Sequence, residues 1–173
     1  TRRPQWRVVD GGSNQYINQF IKRFSGQIHH SSAVEKIQRI DNGVVVTVNG
    51  QEQSFDAIVL ACHSDQALSI LADSSYDEAT VLGNIDYQKN HMQLHTDESV
   101  LPPNKAAWAS WNVYVSPALQ EKCTVSYHMN TLQKLEAPVE FVVSLNSAER
   151  VDPEKVLVER HYAHPVYNEK TMA

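Results

Sequence analysis

Cys62 and His63 stand side by side in "IVLACHSD", joining a thiol to an imidazole. A cysteine nucleophile needs a base within hydrogen-bond reach. Neighbours on an extended chain point to opposite faces, however, which disfavours a dyad. Without a dyad, His63 reads as a loop histidine at the start of a helix. Two further histidine pairs occur, His91 with His95 and His161 with His164. A helix would bring each pair onto one side, but both stretches read as strands. No Glu or Cys stands at a third-ligand spacing, so zinc is not expected. His95 also lies two residues before Asp97 in "LHTD". That spacing allows a histidine–carboxylate couple near neutral pH, or an aspartate that caps the turn into "LPPN".

In "WASWNVY" the faces alternate, with Trp108, Ser110 and Asn112 on one side and Ala109, Trp111 and Val113 on the other. Aromatic residues on a strand either wall a substrate pocket or fill a core. Asn112 on a core-facing strand needs hydrogen-bond partners. His95, Trp108, Trp111 and Asn112 are therefore the candidate substrate-pocket residues. A glycine pair, Gly11-Gly12 in "VVDGGSNQYINQF", could approach a phosphate. A dinucleotide fingerprint needs a third glycine in register, and a P-loop needs a following Lys-Ser or Lys-Thr. Both are missing, so the pair reads as a turn feeding a helix capped by Ser13 or Asn14.

The elements that must position these residues follow from periodicity. Tyr16, Ile17, Phe20, Ile21 and Phe24 recur at helical spacing and predict one buried face, with Gly26 ending the helix. "QIHH" reads as a brief strand. "SAVEKIQRI" and "GVVVTV" are joined by Asp41-Asn42-Gly43, and Asn49-Gly50 leads into "QEQSF", which predicts two hairpins. Ile58 to Leu60 is a continuous apolar run that suits a parallel strand buried on both faces. Ser64 or Asp65 can cap a helix through Leu71. A helix over 77–85 and strands over 88–95, 107–115, 124–129, 141–145 and 156–162 complete the chain. The expected fold is α+β, with a composition shift near 73–76 dividing residues 1–75 from 76–173.

The 173 residues suit one domain, or one domain and part of another. A net charge of -5, scattered in sign, excludes a nucleic-acid partner. No apolar run can span a bilayer. Cys62 and Cys123, each beside apolar residues, predict buried thiols in a reducing compartment, the cytoplasm. The chain begins with Thr1, which fits an internal fragment of a longer protein.

Taken in order, "GGSNQYINQF", "AVEKIQRIDNGVVVTV" and "FDAIVLACHSDQALSIL" resemble the middle of flavin-containing amine oxidases and their relatives. "LHTDESVLP", "WASWNVY", "VEFVVSLN" and "RHYAHPVYN" are similar to a bacterial NAD/FAD-binding subgroup of that family. The resemblance implies a partial Rossmann-like FAD-binding layer over 1–75 and a substrate domain on a mixed or antiparallel sheet over 76–173. It implies FAD as cofactor and a small-molecule substrate, an amine or a lipid- or polyene-like compound. By position it assigns Val34, Ala61, Cys62 and His63 to the cofactor. The phosphate-binding glycines of the family are not in this chain, so the fragment by itself is expected to hold FAD weakly and to be inactive. The competing expectation is a non-catalytic binding or scaffold module with a degenerate flavoprotein fold. Catalytic residues and oligomeric state are not specified by any of these motifs.

Overall fold

A computed structural model describes residues 5, 7–115 and 124–172. The chain divides into two compact units, one formed by 1–25 with 89–162 and the other by 26–88 with 163–173. The architecture is α+β, with two antiparallel sheets and few helices.

The second unit is built on a three-stranded sheet, β1 (Val34–Ile40), β2 (Gly43–Val48) and β3 (Gln51–Phe55), in the order β1-β2-β3. Both predicted hairpins are present. Asn49 (φ 51°) and Gly50 (φ 70°) form the two-residue loop between Val48 and Gln51. Two left-handed residues in succession match the twist of the flanking strands, which is why Asn-Gly is favoured there. Gly43 begins β2 with φ 149°, and a Cβ placed on it would fall 2.2 Å from the Phe55 carbonyl oxygen. Only glycine lets β3 approach that closely. Ile37, Val44 and Val46 are the core, with Val34, Leu60, Ile70 and Leu71 packed against them. Helices α2 (Ser64–Ile70) and α3 (Tyr76–Gly83) follow. Ser75 and Glu78 form a reciprocal capping box at the start of α3. The Ala72 N–H donates to the Ile37 carbonyl at 2.8 Å, and Arg39 binds Asp73 and Glu78, so residues 71–73 hold the outer edge of β1.

The first unit carries the five-stranded sheet, ordered β5-β6-β7-β4-β8. Its strands are β4 (Asp86–His95), β5 (Trp111–Tyr114), β6 (Thr124–His128), β7 (Val142–Leu145) and β8 (Val156–Val166). A short helix, α4 (Met129–Gln133), joins β6 to the segment before β7, and α5 (Glu169–Met172) ends the chain. Single 3-10 turns over Glu98–Val100, Lys105–Ala107 and Pro153–Lys155 lie in the connections. The expected strand over 107–115 is thus a 3-10 turn followed by the four residues of β5. The core here is small, consisting of Val100, Leu101, Val142 and Val151 with Trp108 and Val156 against it.

Several expectations are corrected. The segment 57–61 joins neither sheet, and Val59 is 90% exposed. An apolar run becomes a buried strand only where neighbours pair with both its edges, and the described residues place none there. Helix α1 (Asn14–Arg23) forms, but none of its residues is buried. Its apolar stripe is set by periodicity, yet burial needs a covering surface, and the described residues supply none. The helix stops at Arg23 with Phe24 extended, two residues before Gly26, and Ser13 makes no side-chain cap. "QIHH" is irregular. Neither Ser64 nor Asp65 caps α2, because His63 occupies the cap position and makes no side-chain cap. Cys62 is exposed, and Cys123 lies outside the described residues.

Candidate functional site

In the second unit an open cleft of about 750 Å³ lies among β1, the 57–61 segment, α2 and α3. Ile37, Leu60, Cys62, Val81 and Leu82 are among its apolar lining, and Arg39, Ser64, Glu78 and Tyr87 bring polar groups to it. Tyr87 organises one end. Its hydroxyl accepts the Ser64 N–H at 2.8 Å and lies 3.2 Å from the Ser64 hydroxyl, while its ring stacks on His63 at 4.5 Å. Arg39 and Glu78 form an ion pair at the rim. Hydrogen bonding from the Ser75 backbone, aided by Arg39, holds the Glu78 carboxyl below its ordinary value despite partial desolvation.

The sequence-assigned cofactor residues divide as follows. Cys62 lines the cleft, with Ala61 exposed before it and His63 stacked on Tyr87 after it. Val34 packs into the same small core as Leu60. It sits at the start of β1, an edge strand whose outer side is bridged at Ile37 by Leu71. Residues 57–61 lie outside both sheets, and Ala57, Ile58, Val59 and Ala61 are exposed. The glycine turn does not fit a pyrophosphate. The Gly12 N–H is already spent on the Val9 carbonyl at 3.1 Å, and the left-handed Gly11 and Gly12 serve to close that turn.

The first unit's sheet has an inverted character. Asn112, Ser126, Ser144 and Gln93 stand opposite one another across β5, β6, β7 and β4. That polar row faces inward, and Gln93, Ser126 and Ser144 are buried. His95, fully buried on the same side, bonds the Ser144 hydroxyl through Nε2 at 2.9 Å, and Ser144 lies 2.7 Å from the Ser126 hydroxyl. The Asp97 N–H donates to His95 Nδ1 at 3.1 Å, so the ring carries its proton on Nε2 and donates to Ser144. A ring that donates to a serine is not the base that would activate it. Burial lowers the His95 pKa, with the Asp97 charge acting against it. The couple expected in "LHTD" is therefore a neutral structural imidazole.

Asp97 does cap a turn, as one of its sequence readings required. Its carboxylate is 2% exposed and accepts N–H groups from Ser99 (3.0 Å) and Asp152 (2.9 Å), with Lys155 Nζ at 3.4 Å. Burial alone would raise its pKa, but these bonds outweigh burial and bring it to about 2. Next to this network, His128 Nε2 donates to Glu140 at 2.7 Å, and its Nδ1 lies 2.8 Å from the Thr131 hydroxyl. Trp108 meets His128 edge-on and donates from Nε1 to the Pro102 carbonyl. Asn112 finds the partners it needs in Ala109 and the Ser126 carbonyl.

The opposite face is apolar and half-open. One row runs Trp111, Tyr127, Val143, Leu94 and the next Val113, Val125, Leu145, Met92. Trp111 is 59% exposed and Val113 62%. Thus His95, Trp108 and Asn112 share the inner side, while Trp111 stands on the open one. Sequence reasoning missed Tyr87, Ser144, His128 and Glu140. Alternation in "TVSYH" and "VVSL" marks two faces but does not say which turns inward. His91 and His161 meet ring to ring at 4.9 Å, as a cross-strand pair that spacing along the chain does not reveal. Among the described residues, no group of three or more His, Cys, Asp or Glu could hold a metal ion. No helix among them is long and apolar enough to cross a membrane.

The chain is α+β, with one unit opening on a cleft and the other carrying a half-open apolar sheet face. The family described as "Flavin containing amine oxidoreductase" matches residues 1–171, and the chain belongs to that family. Among solved structures, a CLA-producing fatty acid isomerase from P. acnes superposes with a TM-score of 0.54 at 13% identity. The alignment covers 87% of this chain and 39% of that one, so this chain spans well under half of that enzyme's length. No curated protein matches.

Proposed function

We propose that the chain is the middle portion of an FAD-dependent oxidoreductase that transfers a hydride from a small-molecule substrate to flavin. The family match over residues 1–171 carries this reading, and the open cleft beside the unpaired 57–61 run supports it. Bound FAD supplies the hydride acceptor, and the protein's part is to bind, orient and exclude water.

In this reading residues 1–75 belong to the FAD-binding domain and 76–173 to the substrate domain. Val34 and the Ala61-Cys62-His63 stretch offer backbone and side-chain contacts to the cofactor, with Tyr87 fixing the His63 ring. Trp111 contributes to the substrate wall. His95, Trp108 and Asn112 hold that wall from behind through their hydrogen bonds. The substrate is an amine or a lipid- or polyene-like molecule, and the cytoplasm is the expected compartment.

The test is to purify the longer protein that contains this chain and record its absorbance. Oxidised-flavin bands that bleach anaerobically on substrate addition are expected. A colourless protein that stays colourless after FAD reconstitution overturns the reading and leaves a scaffold. The 173 residues alone are expected to bind FAD more weakly than about 1 μM, roughly -8 kcal/mol, because the Gly12 amide is already used.

A further inference from the structure

We propose that the open face of the five-stranded sheet binds a long-chain fatty acid, its hydrocarbon lying across the strands and its carboxylate on Arg160. The inference rests on the reading of this sheet as a substrate wall.

The first observation is the inversion itself. Histidine, serine and aspartate side chains fill the inside, while Trp111, Val113 and their row partners stand half-open. An exposed apolar area of this kind marks a surface that a ligand or a partner covers. The second is charge. Gln93 Nε2 donates to Glu159 at 2.7 Å and His91 packs on His161, which sets these four side chains on the inner side of β4 and β8. Alternation then turns Met92 on β4 and Val158 and Arg160 on β8 to the open side. Among the described strand positions of this face in the first unit, none is acidic. An ammonium would find no counter-ion there, whereas a carboxylate finds one cation. Arg160 is exposed and gives one N–H to the Glu159 carbonyl at 2.7 Å. Five donors in a planar fork leave it able to clamp a carboxylate.

The third observation is length. From β5 to β8 there are four strand spacings, about 19 Å. An extended hydrocarbon advances roughly 1.3 Å per carbon, so about fifteen carbons cover the row that ends at Arg160. A short amine would leave most of it bare.

The test titrates sodium dodecanoate, dodecan-1-ol and dodecylammonium, each below its micellar concentration, into the full 173-residue chain by calorimetry. Dodecanoate is expected to bind about tenfold more tightly than the alcohol, and dodecylammonium most weakly. Arg160→Gln should remove the carboxylate preference and leave the alcohol unchanged. Val113→Glu, at an exposed position, should weaken both, with circular dichroism checking that each variant is folded. Equal affinity for acid and alcohol, a preference that survives Arg160→Gln, tightest binding of the ammonium, or no binding by the folded chain overturns the inference. Because no flavin is involved, such a failure alongside flavin colour in the longer protein would leave the flavoprotein reading standing.

Discussion

Replacing Asp97 by Asn should destabilise the first unit by about 2 to 3 kcal/mol at pH 7. The carboxylate ties two turns of the chain together, since its partners are the backbone of Ser99 in its own turn and, in the 152–155 turn, the Asp152 backbone and the Lys155 ammonium. An asparagine keeps one oxygen for Ser99 but turns an amide toward the Asp152 N–H, leaving a donor without an acceptor. The native pKa gives a second route to the size. A drop from 3.8 to about 2 corresponds to about 2.4 kcal/mol. Because the folded-state value is the lower one, this stabilisation is complete above the unfolded pKa and fades as pH falls through it. About half should remain at pH 3 and little below pH 2. The assay is urea unfolding followed by tryptophan fluorescence, since Trp108 and Trp111 both lie in this unit. Wild type and Asp97→Asn should differ widely at pH 7 and converge on acidification. A gap below about 0.5 kcal/mol at pH 7, or one that stays constant down to pH 3, refutes the assignment of the charge to these bonds.

Gly43→Ala should cost at least about 2 kcal/mol by thermal melting, because both the φ of 149° and the Phe55 carbonyl exclude a Cβ. An unchanged melt would mean β3 does not approach as described. Val59→Asp should leave the chain's stability within about 0.5 kcal/mol, since the side chain is 90% in solvent. In the longer protein the same change should abolish flavin binding, and retained flavin colour there would separate this run from the cofactor domain. Cys62 should react at once with a thiol reagent in the native chain, and labelling only after urea would contradict its exposure.

What could be read from sequence was what local chemistry decides. Asn49-Gly50 fixed a hairpin because its two left-handed residues need no help from distant chain. The Tyr16-to-Phe24 stripe likewise announced a helix. Burial was less legible, since a stripe or an apolar run says that a surface wants covering and not that the covering is present. Ile58 to Leu60 misled for that reason. Within β5, alternation separated Trp111 from Asn112, whereas Trp108 lies in the turn before the strand, where alternation does not apply. It could not reveal that His95 would meet Ser144, a residue 49 positions away that is brought beside it only by strand order. Nor could it name Tyr87, whose importance lies in contacts with His63 and Ser64 across more than twenty residues.

The serine–histidine chain on the inner side of the sheet carries a consequence for folding. Sliding β6 by one position against β7 would turn Val125 and Tyr127 inward, an exchange that oil-and-water considerations favour. It would also break the contact between Ser126 and Ser144 that continues to His95, and side-chain period two makes the loss complete. Grease alone would choose the wrong alignment, so the hydroxyl ladder acts as the strands' alignment key. Swapping Ser126 and Ser144 for alanine should therefore cost uniqueness of register as well as free energy.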